Sequence, residues 1–450
     1  MSNFSVYILK LTRERQRVFE QNNVEEYGQF AEAVNVFSHS KSFPLVVLIL
    51  QPNGTLSHIG RGRRGLSAGT GLRRINVTDM YALTSAVTAD DLLAAIEQKF
   101  QKHLTSRLQN GGKLPKATSV ALVDTLIELA PECRESISAF STLQRELLEG
   151  FSVSERTALA YQKEAVATAL NISGIPRDDL ADWEVSMAVQ PASFLEGLPE
   201  ARLREDPMIV NDLMNVPGYD FIKTIPNASA AVFTNEGKRL TVILANRLPL
   251  EQQTGTDLIY YNETYKAFVM VQYKAMEKHN TLGAVFRHPE KQLTEEVNRM
   301  DDFLIQLGKV TASKSKDNVR LSENPFFFKF CPRIQFEPNK TGLTKGMYIP
   351  FSYWKALEAE PLETGRKTKD LAYSTVGRYF DNTSFSMMVA NAWVGTSISQ
   401  SALLEEWIRD VIGSGRAITF AVKNESVAEG DENISEPPYE PDEPDEPDEF

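Results

Sequence analysis

The sequence predicts an α/β fold, mixed α+β over the chain as a whole, from three observations. Three apolar runs between Lys238 and Lys274 are separated by turn residues, the pattern of consecutive strands. Leu293, Val297, Met300, Phe303, Leu304 and Leu307 recur at helical spacing just after them. The first hundred residues add short strand-like runs ahead of an amphipathic helix.

Taken in order, SVYILKL (Ser5–Leu11) and PLVVLIL (Pro44–Leu50) read as strands, and QPNGT after the second signals a hairpin. His58–Arg74 holds five arginines and five glycines in seventeen residues and reads as a mobile hairpin loop. Its guanidinium groups, on Arg61, Arg63, Arg64, Arg73 and Arg74, can meet phosphates, because each offers paired donors and the glycines let the backbone approach closely. Thr88 with Asp91 caps a helix whose stripe is Leu92, Leu93, Ile96 and Phe100. QNGGKLP (Gln109–Pro115) then reads as a linker closing a first domain over 1–110.

Residues 116–200 read as a mainly helical segment, in which the SVSE capping box (Ser152–Glu155) starts a long helix. Residues 205–423 form the strand-rich domain. KRLTVILANR (Lys238–Arg247), TDLIYYN (Thr256–Asn262) and KAFVMVQYK (Lys266–Lys274) are its first strands, with NETY turning between the last two. FFFKFCPRIQF (Phe326–Phe336) is a further strand. A last helix carries Leu403, Leu404, Trp407, Ile408 and Val411, and ITFAV (Ile418–Val422) closes the sheet. Residues 424–450 end in three EPD triplets and read as a disordered acidic tail, because like charges repel and nothing apolar offsets the entropy of ordering.

The tail also explains the charge. The chain carries −12, but residues 425–450 hold twelve Asp and Glu and no Lys or Arg, so the remainder is formally neutral, 48 against 48. Only local clusters can then point to a polyanionic partner. Two cysteines, Cys133 and Cys331, exclude a disulfide framework or a Cys-rich zinc site and suit a reducing compartment. The five histidines show no metal-ligand spacing. The longest apolar runs are too short to span a bilayer, and the N-terminus lacks the pattern of an export signal, so a cytoplasmic protein without membrane contact is expected. No P-loop and no G-x-S-x-G motif occurs, which disfavours P-loop ATPase and serine-hydrolase chemistry.

One stretch combines core and chemistry. In FVMVQYKAM, alternation puts Phe268, Met270, Gln272 and Lys274 on one face, and Val269, Val271 and Tyr273 on the other. The first face turns from apolar to polar along the strand. Asp257 begins the preceding strand, and Glu251 lies six residues earlier. Pairing about NETY sets Asn262 opposite Tyr265 and Asp257 opposite Met270, so a register shift is needed to bring Asp257 to Gln272. A carboxylate, an amide oxygen and a lysine at one sheet end suit a hard divalent cation such as Mg2+ or Mn2+, which takes oxygen ligands. The ion activates water for phosphodiester hydrolysis, and the lysine steadies the developing charge.

Asp257…Gln272-Tyr273-Lys274 resembles the PD-(D/E)XK nuclease superfamily, in the variant with glutamine at the acidic position seen in Mrr-like restriction endonucleases. The resemblance spans about residues 205–340 and implies a restriction-endonuclease-like core: a β-meander carrying the motif, then a helix and another strand. It implies Asp257 and Gln272 as metal ligands and Lys274 as the catalytic lysine; Glu251 is added from its charge alone. Thr256 stands where the family has proline, and Gln272 carries no charge where a Glu is commoner. The implied activity is a metal-dependent endonuclease acting on DNA, in prokaryotic restriction or antiphage defence, and a homo-oligomer is compatible with it. The alternative is an inactive nucleic-acid-binding or protein-interaction scaffold. The tail is expected to solubilise the chain, or to contact its own basic groove or a separate basic partner.

Overall fold

The structure is a computed structural model. It describes residues 5–21, 29–40, 43–67, 71–140, 150–183, 191, 193–198, 229–236, 238–245, 256–310, 315–334, 336–338, 340–361, 368–401, 403–404 and 417–425. The chain is mixed α+β and divides into two compact units. One comprises residues 1–152 with 178–191 and 338–341; the other comprises 153–177, 192–337 and 342–450. The helical segment expected over 116–200 is therefore no unit of its own.

The first unit runs β1 (Val6–Lys10), α1 (Arg13–Gln21), β2 (Gln29–Asn35), β3 (Leu45–Leu50), β4 (Thr55–Ser67), β5 (Leu72–Thr88), α2 (Ala89–Ala95), α3 (Gln98–Asn110), β6 (Gly112–Lys113) and α4 (Lys116–Leu129). Its sheet has the order β2-β5-β4-β3-β1-β6. The hairpin at QPNGT and the Thr88–Asp91 capping box form as expected. One core lies between β1, β3 and helices α2 to α4, around Ile8, Leu48, Leu104 and Leu122. A second lies on the opposite face, where Phe19 of α1 joins Phe30, Val47, Ile75 and Val77.

Two sequence expectations change here. The QNGGKLP linker contains an edge strand: Gly112 and Lys113 pair with Ile8 and Tyr7, and the Leu114 N–H donates to the Val6 carbonyl. The Arg–Gly stretch is ladder as well as loop, because β4 and β5 pair through Arg64 and Ile75. Gly60 and Gly62 serve close packing. A Cβ on Gly60 would stand 2.5 Å from Val77 Cγ1, and one on Gly62 would run into Val47 and Leu45. Gly62→Ala should therefore overpack this core and cost about 1–3 kcal/mol, read as a lowered urea midpoint.

The second unit runs α5 (Val153–Ser173), β7 (Ser229–Asn235), β8 (Lys238–Ala245), β9 (Thr256–Asn262), β10 (Ala267–His279), β11 (Gly283–His288), α6 (Lys291–Leu307), β12 (Phe326–Pro332), β13 (Met347–Pro350), α7 (Phe351–Ala359), β14 (Lys369–Leu371), α8 (Asn382–Ala390) and β15 (Ala417–Glu425). The sheet order is β13-β12-β10-β9-β15-β8-β7. Strands β9 and β10 are antiparallel, β10 and β12 parallel, and β12 and β13 antiparallel. The apolar stripe of α6 packs on one face with Phe268, Met270, Phe326 and Phe328. On the other face α5 lies against β8, β9 and β15, and its residues 158–170 are all buried.

The ITFAV strand does not close the sheet at an edge. It inserts between β8 and β9, antiparallel to the first and parallel to the second, which separates the strands that the meander would have joined. Asn424 and Glu425, assigned to the tail, extend this strand by pairing with Arg239 and Lys238. The strand at FFFKFCPRIQF ends early, at Pro332, whose missing N–H breaks the ladder. The rest of the acidic tail, and Trp407, Ile408 and Val411 of the expected last helix, lie outside the described residues. No described helix is long and apolar enough to cross a membrane.

Candidate active site

The polar half of β10 sits where two strands part. The β9–β10 ladder sets Asn262 opposite Ala267 and ends at Leu258 opposite Val271. The loop between the strands is Glu263–Lys266, longer than pairing Asn262 with Tyr265 would leave. Lys266 closes it in a left-handed conformation at φ 48°, and Asn262 Oδ1 accepts from the Tyr265 N–H. The register is displaced by two residues from the sequence expectation. That displacement brings position 257 level with Gln272, one step beyond the last pair. The backbone of Asp257 pairs with Ile418 of β15. Its side chain, and the whole of Glu251, lie outside the described residues.

Along β10 the alternation holds. Phe268 and Met270 belong to the core under α6, Gln272 is half-buried, and Lys274 is buried. Lys274 Nζ meets Glu296 Oε2 at 2.5 Å, with side-chain exposures of 8% and 2%. Gln292 Nε2 donates to Glu296 Oε1 at 3.0 Å. Glu290 caps α6 by accepting from the Gln292 and Leu293 N–H groups, which fixes the first turn that carries Gln292. Glu296 was not singled out from the sequence, yet a signal existed. It lies three residues after Leu293 and directly before Val297, a carboxylate inside an apolar stripe. A carboxylate at that spacing must be paired where the helix packs, because an unpaired buried charge is costly.

A second buried pair occupies the other face. Lys329 of β12 and Glu164 of α5 approach to 2.5 Å, with exposures of 0% and 4%. The Thr344 N–H donates to both Glu164 oxygens, at 3.1 and 3.0 Å. Lys329 Nζ lies 4.9 Å from the Tyr348 ring centre and 5.7 Å from that of Tyr273, and Tyr273 donates to Thr168 Oγ1. Gly346 leaves room for the lysine stem: a Cβ there would stand 2.7 Å from Lys329 Cε. Burial pulls the Lys329 ammonium down, but Glu164 and the two phenols outweigh it and hold the group well above its ordinary range. Burial also raises the Tyr273 phenol well above its usual range and pushes the Cys331 thiol up to about 12. Cys331 therefore stays a thiol at neutral pH and is no nucleophile.

The two pairs differ in setting. The Lys329 pair is sealed among α5, β12 and β13. The Lys274 pair adjoins half-buried Gln272, which makes no side-chain hydrogen bond among the described residues, at the point where β9 leaves β10. The side-chain oxygens on this stretch of β10 and α6 are the Gln272 amide and the Glu296 carboxylate. In kind they fit a hard cation that keeps several waters and takes one or two carboxylates. Among the described residues, no group of three or more His, Cys, Asp or Glu is placed to hold a metal.

The arginines of the first unit separate into two sets. Arg61 and Arg63 face the same way as their cross-strand partners Thr78 and Asn76, and Arg74 shares that side of β5. Arg64, opposite Ile75, is buried, and Arg73, between Leu72 and Arg74, is half-buried on the other side. No protein-family model, curated protein or solved structure matches this chain.

Proposed function

We propose that the second unit is a metal-dependent nuclease core of the PD-(D/E)XK kind, hydrolysing phosphodiester bonds in DNA. The observation that carries this reading is the Lys274–Glu296 pair beside Gln272, at the point where β9 and β10 diverge. The order of elements supports it: an antiparallel β9–β10 pair, helix α6, then β12 parallel to β10 and β13 antiparallel beyond it, with helices on both faces. The departure is β15, which stands beside β9 where the meander's preceding strand is expected.

Asp257, Gln272 and Glu296 would hold Mg2+ or Mn2+, with Glu296 supplying the charge that Gln272 lacks. When bound, the ion supplies Lewis-acid activation of water and phosphoryl oxygen. Lys274 places a positive charge beside the reacting phosphate and steadies the charge that builds there. Glu296 and Gln292 hold that lysine in one direction. A role in prokaryotic restriction or antiphage defence belongs to this proposal.

The test is cleavage of plasmid DNA, single-stranded DNA and RNA in Mg2+ or Mn2+, beside Asp257→Ala and Lys274→Ala. Metal-dependent cleavage abolished by each substitution is expected; cleavage indifferent to both would refute the site. A second reading is a catalytically inactive nucleic-acid-binding scaffold. It is favoured by the low exposure of Lys274, and it predicts salt-sensitive binding with no cleavage of any substrate.

A further inference from the structure

In the first unit, β4 and β5 run on beyond the part of the sheet that helices α2 to α4 cover, and β2 pairs with the outer half of β5. One face of this three-stranded extension is packed: Phe30, Ile75 and Val77 lie against Phe19 of α1. The other face is exposed, and cross-strand pairing defines it row by row. Arg61 is level with Thr78 and Gln29, Arg63 with Asn76 and Ala31, and Arg74 with Ala33. Gly65 also lies on this side, since a Cβ there would stand 3.1 Å from both Arg74 Cβ and Asn76 Nδ2.

The charges on this face are unbalanced. Arg61 is held by Asp79 at 2.7 Å and donates to Thr78 Oγ1. Arg63 and Arg74 are exposed and make no ion pair or side-chain hydrogen bond among the described residues. They stand diagonally on adjacent strands, about 8 Å apart at Cα from strand spacing and rise, a distance suited to successive phosphates of one strand. Ala31, Ala33 and Gly65 keep the floor low around them. Beyond Arg61, the irregularity in β5 at Asp79 (φ 48°) carries the strand on to Tyr81, level with Ile59 and therefore on the same face. Tyr81 is 51% exposed. Two exposed guanidinium groups, amide side chains and an exposed aromatic ring on one face of a sheet suit a strand whose bases are free to stack. A duplex would offer the ring no base face.

We infer that this face binds single-stranded nucleic acid, with Arg63 and Arg74 on consecutive phosphates and Tyr81 stacked on a base. The inference deepens the nuclease reading and rests on it only for the class of ligand.

The experiment is fluorescence anisotropy of the full chain in EDTA, so that no cleavage intervenes. Labelled 20-mers of oligo-dT and oligo-U and a 20-bp duplex are titrated at several NaCl concentrations. Arg63→Gln/Arg74→Gln should weaken single-strand binding at least ten-fold and flatten the slope of log K against log salt by about 1.4, from about 0.7 per phosphate contact. Tyr81→Ala should weaken it at least five-fold with the salt slope unchanged, the pattern of a lost stack. Arg299→Gln/Lys291→Gln, an equal charge change at exposed positions of the second unit, should bind as wild type. Melting temperatures report whether each variant is folded. Preference for the duplex, an equal loss in the Arg299/Lys291 control, or an unchanged salt slope in the Arg63/Arg74 variant would each overturn the inference. Preference between the dT and U strands identifies the strand as DNA or RNA. Binding is read in EDTA without any cleavage, so loss of the nuclease reading leaves this outcome legible.

Discussion

Lys329→Met is expected to destabilise the second unit by about 3–5 kcal/mol, the cost of leaving one partner of a buried ion pair uncompensated. Glu164 would remain 4% exposed on α5 with only the Thr344 N–H to satisfy it. The double variant Lys329→Met/Glu164→Leu should recover much of that loss, because no charge then remains buried. It should not recover all of it, since the Thr344 N–H loses its acceptor, a deficit of about 1–3 kcal/mol. The measurement is a urea unfolding series followed by hydrogen exchange in β12. A single-variant cost below about 1 kcal/mol would mean that water reaches Glu164 and that the pair is not sealed. Such a cycle separates a pair that stabilises from one that only fixes how α5 sits on the sheet. The single Lys329 cation over Tyr348 and Tyr273 favours the second role, since both rings lose it in either variant.

On the proposed nuclease reading, Lys274→Met should lower phosphodiester cleavage by about 10²–10³-fold, the usual cost of removing one group that stabilises developing charge. The Lys274–Glu296 pair is also buried, so the single variant will lose stability as well. The informative protein is therefore Lys274→Met/Glu296→Leu. It removes both charges together, and its melting temperature should return toward the wild-type value while cleavage stays lost. A merely structural pair predicts the opposite pattern, with cleavage recovering alongside stability. Glu296→Gln adds a second readout: it keeps the shape and the Gln292 contact but should raise the Mg2+ concentration needed for half-maximal rate. An unchanged metal requirement would remove Glu296 from the proposed ligand set.

Local pattern alone carried much of the second unit. The alternation of FVMVQYKAM puts Gln272 and Lys274 on one face, and the structure keeps them there. The stripe of α6 and the hairpin at QPNGT were equally legible, since each depends on neighbours a few residues apart. The Arg–Gly stretch misled because glycine has two uses. There Gly60 and Gly62 serve close approach between strands, which depends on Val47 and Val77 lying across the sheet, and a glycine in sequence says nothing about its partner.

Register belongs to the same class. A loop ending at Lys266 moved the pairing of β9 and β10 by two residues and brought position 257 level with Gln272. Nothing in either strand specifies that shift, because both patterns are satisfied by any even displacement. The partners of the two buried lysines are more remote still. Glu296 is 22 positions from Lys274, and Glu164 is 165 from Lys329. Alternation decides which side of a strand a lysine faces. Only packing decides which carboxylate meets it, because a buried charge takes whatever partner the covering helix presents. The position of β15 between β8 and β9 was settled in the same way, by hydrogen bonds between segments more than 150 residues apart.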